Sequence, residues 1–252
     1  MDIGKHQLSA GDIVSNMFRG WFDNFGPVFV VSALFTVPIF IVNAIVVAGL
    51  PDVPDSVDDF EWGNFLTRSL GGSFISVVLS LLLTAALSYT FLKIYRGEVV
   101  TPNEAGDAVL SNIVAIIIFA IIAAVLTAIG FVLLIIPGFL AIIVFSLGPP
   151  AILNERISGT SAISRSIQLI SGNWGTAIGV VLIGFLINIG ASVVLGGIAV
   201  PGALSYPDFS DFSIVRSLIQ ITASALVAPL VPGLATALYF EFRGRNEGFP
   251  TT

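Results

Sequence analysis

No cysteine occurs in the 252 residues. That excludes disulfides and thiolate metal sites, and it leaves the redox compartment open. Charge is scarce as well: Lys, Arg, Asp and Glu make up 10% of the chain, against about 25% in soluble domains. Two lysines, Lys5 and Lys93, stand beside eight arginines, and the net charge is −6. An acidic, lysine-poor surface suits a salt-rich environment; plain compositional bias accounts for it equally. The single histidine, His6, lies in the N-terminal tail, where a lone imidazole is most often inert. No charged residue lies between Asp23 and Asp52, Arg68 and Lys93, Asp107 and Glu155, Arg165 and Asp208, or Arg216 and Glu241.

What is present is apolar. Hydrophobic residues make up 56% and the mean hydropathy is +1.00, too apolar for a water-soluble chain to cover its own surface. A helix needs about 20 apolar residues to cross about 30 Å of hydrocarbon. The interval 108–154 is 47 residues long, about 70 Å as helix, so it must cross twice. The sequence therefore predicts an all-α, polytopic bundle forming a single integral membrane domain over residues 1–252. Its six spans are expected near 27–50, 69–92, 113–135, 139–154, 176–200 and 216–240. The first apolar run, 26–50, is too long for the core of a signal peptide and reads as an anchor.

Polar residues mark where helices begin. Ser9 with Asp12 reads as a helix cap, and Thr101, Pro102 and Glu104 form a specific helix start. In "DIVSNMFRGWFDNF", Ile13, Val14, Met17, Phe18, Trp21, Phe22 and Phe25 share one helical face, as in a helix lying in the headgroup plane. "TSAISRSIQLISGNWG" is a second amphipathic segment. Pro137-Gly138 is expected to break the chain between spans three and four, at a tight turn or within protein. A kink is expected at Gly148-Pro149-Pro150. The acidic run of Asp52, Asp55, Asp58, Asp59 and Glu61 lacks EF-hand spacing and reads as a solvated loop.

The chain also repeats itself. Asn24-Phe25-Gly26 matches Asn173-Trp174-Gly175, Arg68-Ser69-Leu70 matches Arg216-Ser217-Leu218, and Tyr95-Arg96-Gly97 matches Phe242-Arg243-Gly244, at offsets of 149, 148 and 147. "AGD" occurs at 10–12 and again at 105–107. Three parallel units follow from this, each a capped or amphipathic lead-in helix, a span out and a span back. The repeated aromatic-Arg-Gly ending suits a headgroup anchor, with Arg toward phosphates and Gly releasing the helix. With the N-terminus placed in the cytoplasm, Lys5, Arg19, Lys93, Arg96, Arg156, Arg165, Arg243 and Arg245 lie inside and only Arg68 and Arg216 outside. The positive-inside rule then predicts a cell-membrane protein with both termini cytoplasmic.

Four stretches carry a family resemblance: "LSAGDIVSNMFRGWFDNFGPVF", "LLIIPGFLAIIVFSLGPPAILNE", "GTSAISRSIQLISGNWGTAIGVVLI" and "LYFEFRGRNEG". They resemble a group of six-helix membrane proteins. The group includes the membrane domain found beside some bacterial glycerophosphodiester phosphodiesterases, together with free-standing uncharacterised relatives. The resemblance runs from about residue 8 to 248 and implies a polytopic membrane module. The phosphodiesterase is a separate soluble barrel for which this chain has no room, so that activity does not carry over.

Chemistry-bearing residues are few. No Asp or Glu falls inside an expected span, which argues against proton relays, coupled transport and membrane proteolysis. Glu155, beside Arg156 at the end of span four, reads as a paired or solvated acid. Asn43, Asn188 and Gln220 are mid-span amides that would bond across helices or line a polar path. No catalytic residue, metal site or cofactor is expected. Two function classes remain. One is a non-enzymatic scaffold, lipid-contacting or envelope-organising module; the other is a permease for an uncharged or amphiphilic solute. The expected partners are membrane lipids, other membrane proteins or further copies of the chain, and no nucleic acid.

Overall fold

The chain's apolar runs become helices because hydrocarbon offers backbone amides no partner but one another. A computed structural model describes residues 8–48, 62–199 and 214–248, and every regular element among them is α-helical. In order these are α1 (Ala10–Asp23), α2 (Phe25–Ala48), α3 (Trp62–Tyr95), α4 (Pro102–Ser111), α5 (Ile113–Leu133), α6 (Ile135–Phe145), α7 (Gly148–Glu155), α8 (Gly159–Ile170), α9 (Trp174–Ala199), α10 (Ile214–Val227) and α11 (Leu230–Glu247). Six stretches are long and apolar enough to span a bilayer: Phe25–Ile45, Ile75–Tyr95, Ile113–Leu133, Ile135–Glu155, Trp174–Ala191 and Leu218–Glu247. His6, the acidic run 52–61 and the residues around Asp208 and Asp211 lie outside the described residues.

The helices fall into three like units: α1-α2-α3, α4-α5-α6/α7 and α8-α9-α10/α11. Each lead-in helix starts at a hydroxyl cap. Ser9 Oγ accepts from Asp12 N at 3.3 Å, Thr101 Oγ1 from Glu104 N at 3.3 Å, and Ser158 Oγ from Ser161 N at 3.3 Å. Each outgoing span starts at an asparagine whose backbone carbonyl accepts its first helical bond: Asn24 from Val28, Asn112 from Ile116 and Asn173 from Ala177. The caps at Ser9 and Thr101 sit where expected. The two "AGD" copies do not coincide structurally, because Ala10 opens α1 whereas Ala105 lies a turn into α4.

The units close into a ring. Lead-in α4 packs on α3 and α2 of the preceding unit, α8 on α7 and α5, and α1 on α11 and α9, so the first unit seals against the third. Each returning span also touches the next outgoing one: α3 meets α5, α6 meets α9, and α10 meets α2. The ends of the returning spans, α3, α7 and α11, meet one another at the centre. Within the spans, 22, 17 and 17% of residues are buried in the outgoing helices, against 39, 44 and 56% in the returning ones. The outgoing helices are therefore the lipid-facing rim.

Three expectations need correction. The turn between spans three and four falls at Leu134, and Pro137 sits in the first turn of α6, where proline lacks only an N–H that has no intrahelical partner. Span six is broken between α10 and α11, with Pro229 capping the second piece. Gly97 does leave its helix with φ of 73°, but Gly244 stays helical and buried, and Gly248 ends α11 with φ of 78°. Helix α1 is amphipathic as expected. It lays Ile13, Val14, Met17 and Trp21 on the bundle and leaves Phe22 exposed, while Phe25, also exposed, already opens α2.

Candidate functional site

The polar side chains gather where the three returning helices end, on the face that holds Leu8 and Glu247. Glu155 closes α7. Its carboxylate accepts from Tyr239 Oη at 2.7 Å and from Arg165 Nε at 3.0 and 2.9 Å, with Arg165 Nη2 2.9 Å from Oε1. Arg165, on α8, also pairs with Glu247 on α11. Glu247 in turn accepts from Arg243 Nε at 3.0 Å, one helical turn earlier. Tyr239 Oη accepts from Asn154 Nδ2 at 2.6 Å, and Asn154 Oδ1 accepts from Arg96 at the end of α3. One chain of bonds thus links all three returning helices and α8.

A second cluster fixes the N-terminal segment. Glu241 is 1% exposed. Its Oε1 accepts from Arg245 Nε at 2.7 Å and from the Leu8 backbone N–H at 3.0 Å. Arg245 also donates to the Leu8 carbonyl at 2.7 Å, Asn173 Oδ1 at 3.0 Å and Thr176 Oγ1 at 3.3 Å. The other carboxylate oxygen, Oε2, is buried without a hydrogen-bond partner among the described residues. This pair clamps the start of α1 to α9 and α11, where the ring closes. Last-turn carbonyls of α8 at Gln168 and Leu169 accept from Asn246, which helps carry α11 past Gly244.

Outside the spans, Arg165 is partly buried. Burial works against its charge, and the hydrogen bonds to Glu155 and Glu247 outweigh it and hold the guanidinium protonated. Glu98 is held below the usual carboxylate range by its 2.6 Å hydrogen bond to Lys93. Asp12 is held below its ordinary value by the Ser9 hydroxyl and backbone N–H.

The sequence singled out Glu155, but its ion-pair partner is Arg165; Arg156, its neighbour, is exposed with φ of 53°. Asn43 on α2 accepts from Ser76 Oγ on α3 at 2.9 Å. Asn188 is half-buried on α9, and Gln220 is exposed on α10. Among the described residues no hydrogen bond joins these three amides, and they lie on three different helices. Tyr239, Glu241, Arg245, Arg165 and Glu247 were not foreseen. The Glu241–Arg245 and Arg243–Glu247 spacings, each one helical turn, were the available signal.

Chemically, the arrangement is a lock. Glu155 is occupied by an arginine and a phenol, and Glu247 by two arginines. Among the described residues no three His, Cys, Asp or Glu side chains come together as a metal site requires. A shallow open depression borders Glu155 and Arg165, lined also by Ile157, Ser161, Ser164 and Gln168. Beneath the lock the seam is mainly apolar, with Ser88, Thr90 and Thr236 buried in it. Leu87, Phe91, Ile152, Leu234, Leu238 and Phe242 belong to one buried cluster, and a Cβ on Gly233 would stand 2.8 Å from the Phe91 ring.

No family model matches the chain, and no solved structure matches it. Over 126 residues it is 27% identical to a UPF0259 membrane protein of Pectobacterium carotovorum subsp. carotovorum, a stretch that makes up 50% of this chain and 50% of that protein. The chain therefore spans about half the length of the curated relative it matches. That likeness and the six apolar helices point the same way: the chain is a multi-pass membrane protein.

Proposed function

We propose that the chain is a single-domain, non-enzymatic membrane module that contacts lipid and organises neighbours in the cell membrane. In this reading it is akin to the membrane domains found beside bacterial glycerophosphodiester phosphodiesterases, and both termini face the cytoplasm. One observation carries it: the seam between α3, α7 and α11 is lined mainly by apolar side chains, its buried hydroxyls being few and those of Thr90 and Thr236 bonded back to their own helices, while the charged groups above it are tied to one another. A coupled transporter would instead keep unpaired polar or ionisable groups along a path at mid-membrane depth. Termini in the cytoplasm follow from eight of ten Lys and Arg residues falling on that side of the sequence.

Purification from native membranes followed by lipid analysis, alongside a flux assay in proteoliposomes, tests this reading. Retained lipid or a protein partner without solute flux is the expected outcome. Uptake of an uncharged solute that is abolished by Asn188→Leu would overturn it in favour of a permease.

A further inference from the structure

The three units differ most in the sequence that joins their outgoing and returning spans. After α2 the chain continues through a stretch that includes Asp52, Asp55, Asp58, Asp59 and Glu61, and after α9 through one with Asp208 and Asp211. Both are written for water. The second unit turns at Leu134 alone, and residues 128–145 contain no polar side chain.

The helix lengths differ in the same sense. All three outgoing helices begin just after an asparagine elbow. Helix α2 has 24 residues and α9 has 26, but α5 has only 21. At 1.5 Å per residue these are about 36, 39 and 31 Å. Against about 30 Å of hydrocarbon, α2 and α9 carry into the headgroups and α5 ends flush with the acyl chains.

The turn is nonetheless built to be exposed. Val132, Leu133, Leu134, Ile135 and Ile136 are 67–86% exposed. The mid-span breaks, between α6 and α7 of the same unit and between α10 and α11 of the third, lie in protein instead, where Leu147 is fully buried and Leu230 is 3% exposed. The turn is also tight. A Cβ on Gly130 would stand 2.9 Å from Gly138 N, and one on Gly138 would stand 2.4 Å from the Phe131 ring. Leu134 N–H donates to Gly130 O at 3.0 Å, and Pro137 has no N–H to satisfy.

From these observations we infer that the α5–α6 turn is a lipid wedge. Its aliphatic side chains sit among the acyl chains of the leaflet opposite the Glu155–Arg165–Glu247 cluster, and its remaining peptide groups meet the glycerol esters at that depth. The turn cannot stand in water, because five large aliphatic side chains would be exposed together. It cannot lie deeper either, because the peptide groups left over at two helix ends need polar partners. The bilayer is accordingly thinner beside the second unit than beside the first and third. The inference rests on the multi-pass bundle and not on the scaffold reading.

The absence of native cysteine makes the experiment direct. A nitroxide is attached at Leu134→Cys in the full-length chain, in vesicles of phosphatidylcholine and phosphatidylglycerol. Its relaxation by oxygen and by a water-soluble nickel chelate is read by electron paramagnetic resonance. Asp55→Cys and Asp208→Cys provide the water-side references. A wedge in lipid gives strong oxygen relaxation and loss of nickel relaxation at 134, with nickel relaxation at 55 and 208. Nickel relaxation at 134 overturns the inference, since the turn then stands in water. Loss of both signals at 134 also overturns it, since protein, such as a second copy, then covers the turn. Loss of nickel relaxation at both 55 and 208 overturns the six-span bundle itself and the wedge with it. Ile136→Cys, at a second exposed position on the same turn, repeats the measurement if Leu134→Cys does not assemble.

Discussion

In every unit the returning span has the lower mean hydropathy and the larger buried share, 39, 44 and 56% against 22, 17 and 17% for the outgoing spans. A soluble protein would sort its helices the other way, with the most apolar at the centre. Here lipid is the solvent, and a leucine gains little by leaving it. Helices come together instead through close backbone approach and polar contacts. The returning spans carry small side chains for close approach, with the Thr90 and Thr236 hydroxyls bonded back to carbonyls of their own helices, and their polar contacts to one another lie at their ends. Ala85, Ala86, Ser88 and Thr90 on α3, Ala151 on α7, and Ala235, Thr236 and Ala237 on α11 are all buried. The outgoing spans present Val30, Ile41, Ile121, Val125, Leu182 and Phe185 to the outside.

If the centre is held by polar and close contacts, the largest effect should come from its polar cap. Glu241→Leu leaves Arg245 in place with its side chain 13% exposed and its carboxylate gone, and breaking such a buried pair costs about 3–5 kcal/mol. Unfolding by titration with a denaturing detergent should show the loss, and limited proteolysis should find the start of α1 released. Adding Arg245→Leu should restore much of the stability, because no uncompensated charge then remains. An unchanged unfolding curve for Glu241→Leu would mean that the ring does not close through this clamp.

A smaller effect is expected where backbones approach. A Cβ on Gly159 would stand 2.3 Å from the Ala115 carbonyl oxygen, which cannot move aside without shifting α5. Gly159→Ala should therefore cost about 1–3 kcal/mol in the same titration. Gly190→Ala on the lipid-facing rim, where nothing lies within 4 Å, should be neutral. Equal effects at the two sites would mean that close backbone approach does not separate helix-packed positions from lipid-facing ones.

The smallest effect concerns the cap of α1. Ser9→Ala should cost about 1 kcal/mol. Its signature is pH dependence. Asp12 has a folded pKa below its ordinary 3.8 because Ser9 hydrogen bonds favour the carboxylate. That contribution is complete above 3.8 and is lost as pH falls through the lower folded value. Stability measured toward acid should decline in that window for the natural chain and less steeply for Ser9→Ala.

Much of this was legible in advance, and the failures have causes. Span number followed from charge-free length, and the caps at Ser9 and Thr101 from local hydrogen-bonding chemistry. The middle unit's elbow, Asn112, is out of register with Asn24 because α4 has 10 residues where α1 has 14. Arg243-Gly244 read as an exit by analogy with Arg96-Gly97. The helix continues because Arg165 and the α8 carbonyls hold Glu247 and Asn246. Glu155 stands out locally, but its partners Arg165 and Tyr239 are 10 and 84 residues away, beyond a local window.

By itself the sequence determined the solvent, the number of crossings, the places where helices begin and the threefold recurrence of one plan. Each of these depends on the composition of a short window or on bonds between residues a turn apart. Only the tertiary structure decided which spans sit at the centre, that the first unit seals against the third, and which carboxylate meets which arginine. In lipid, hydropathy does not rank helices by depth in the bundle. The choice is made by close fits and paired charges whose partners come from different units.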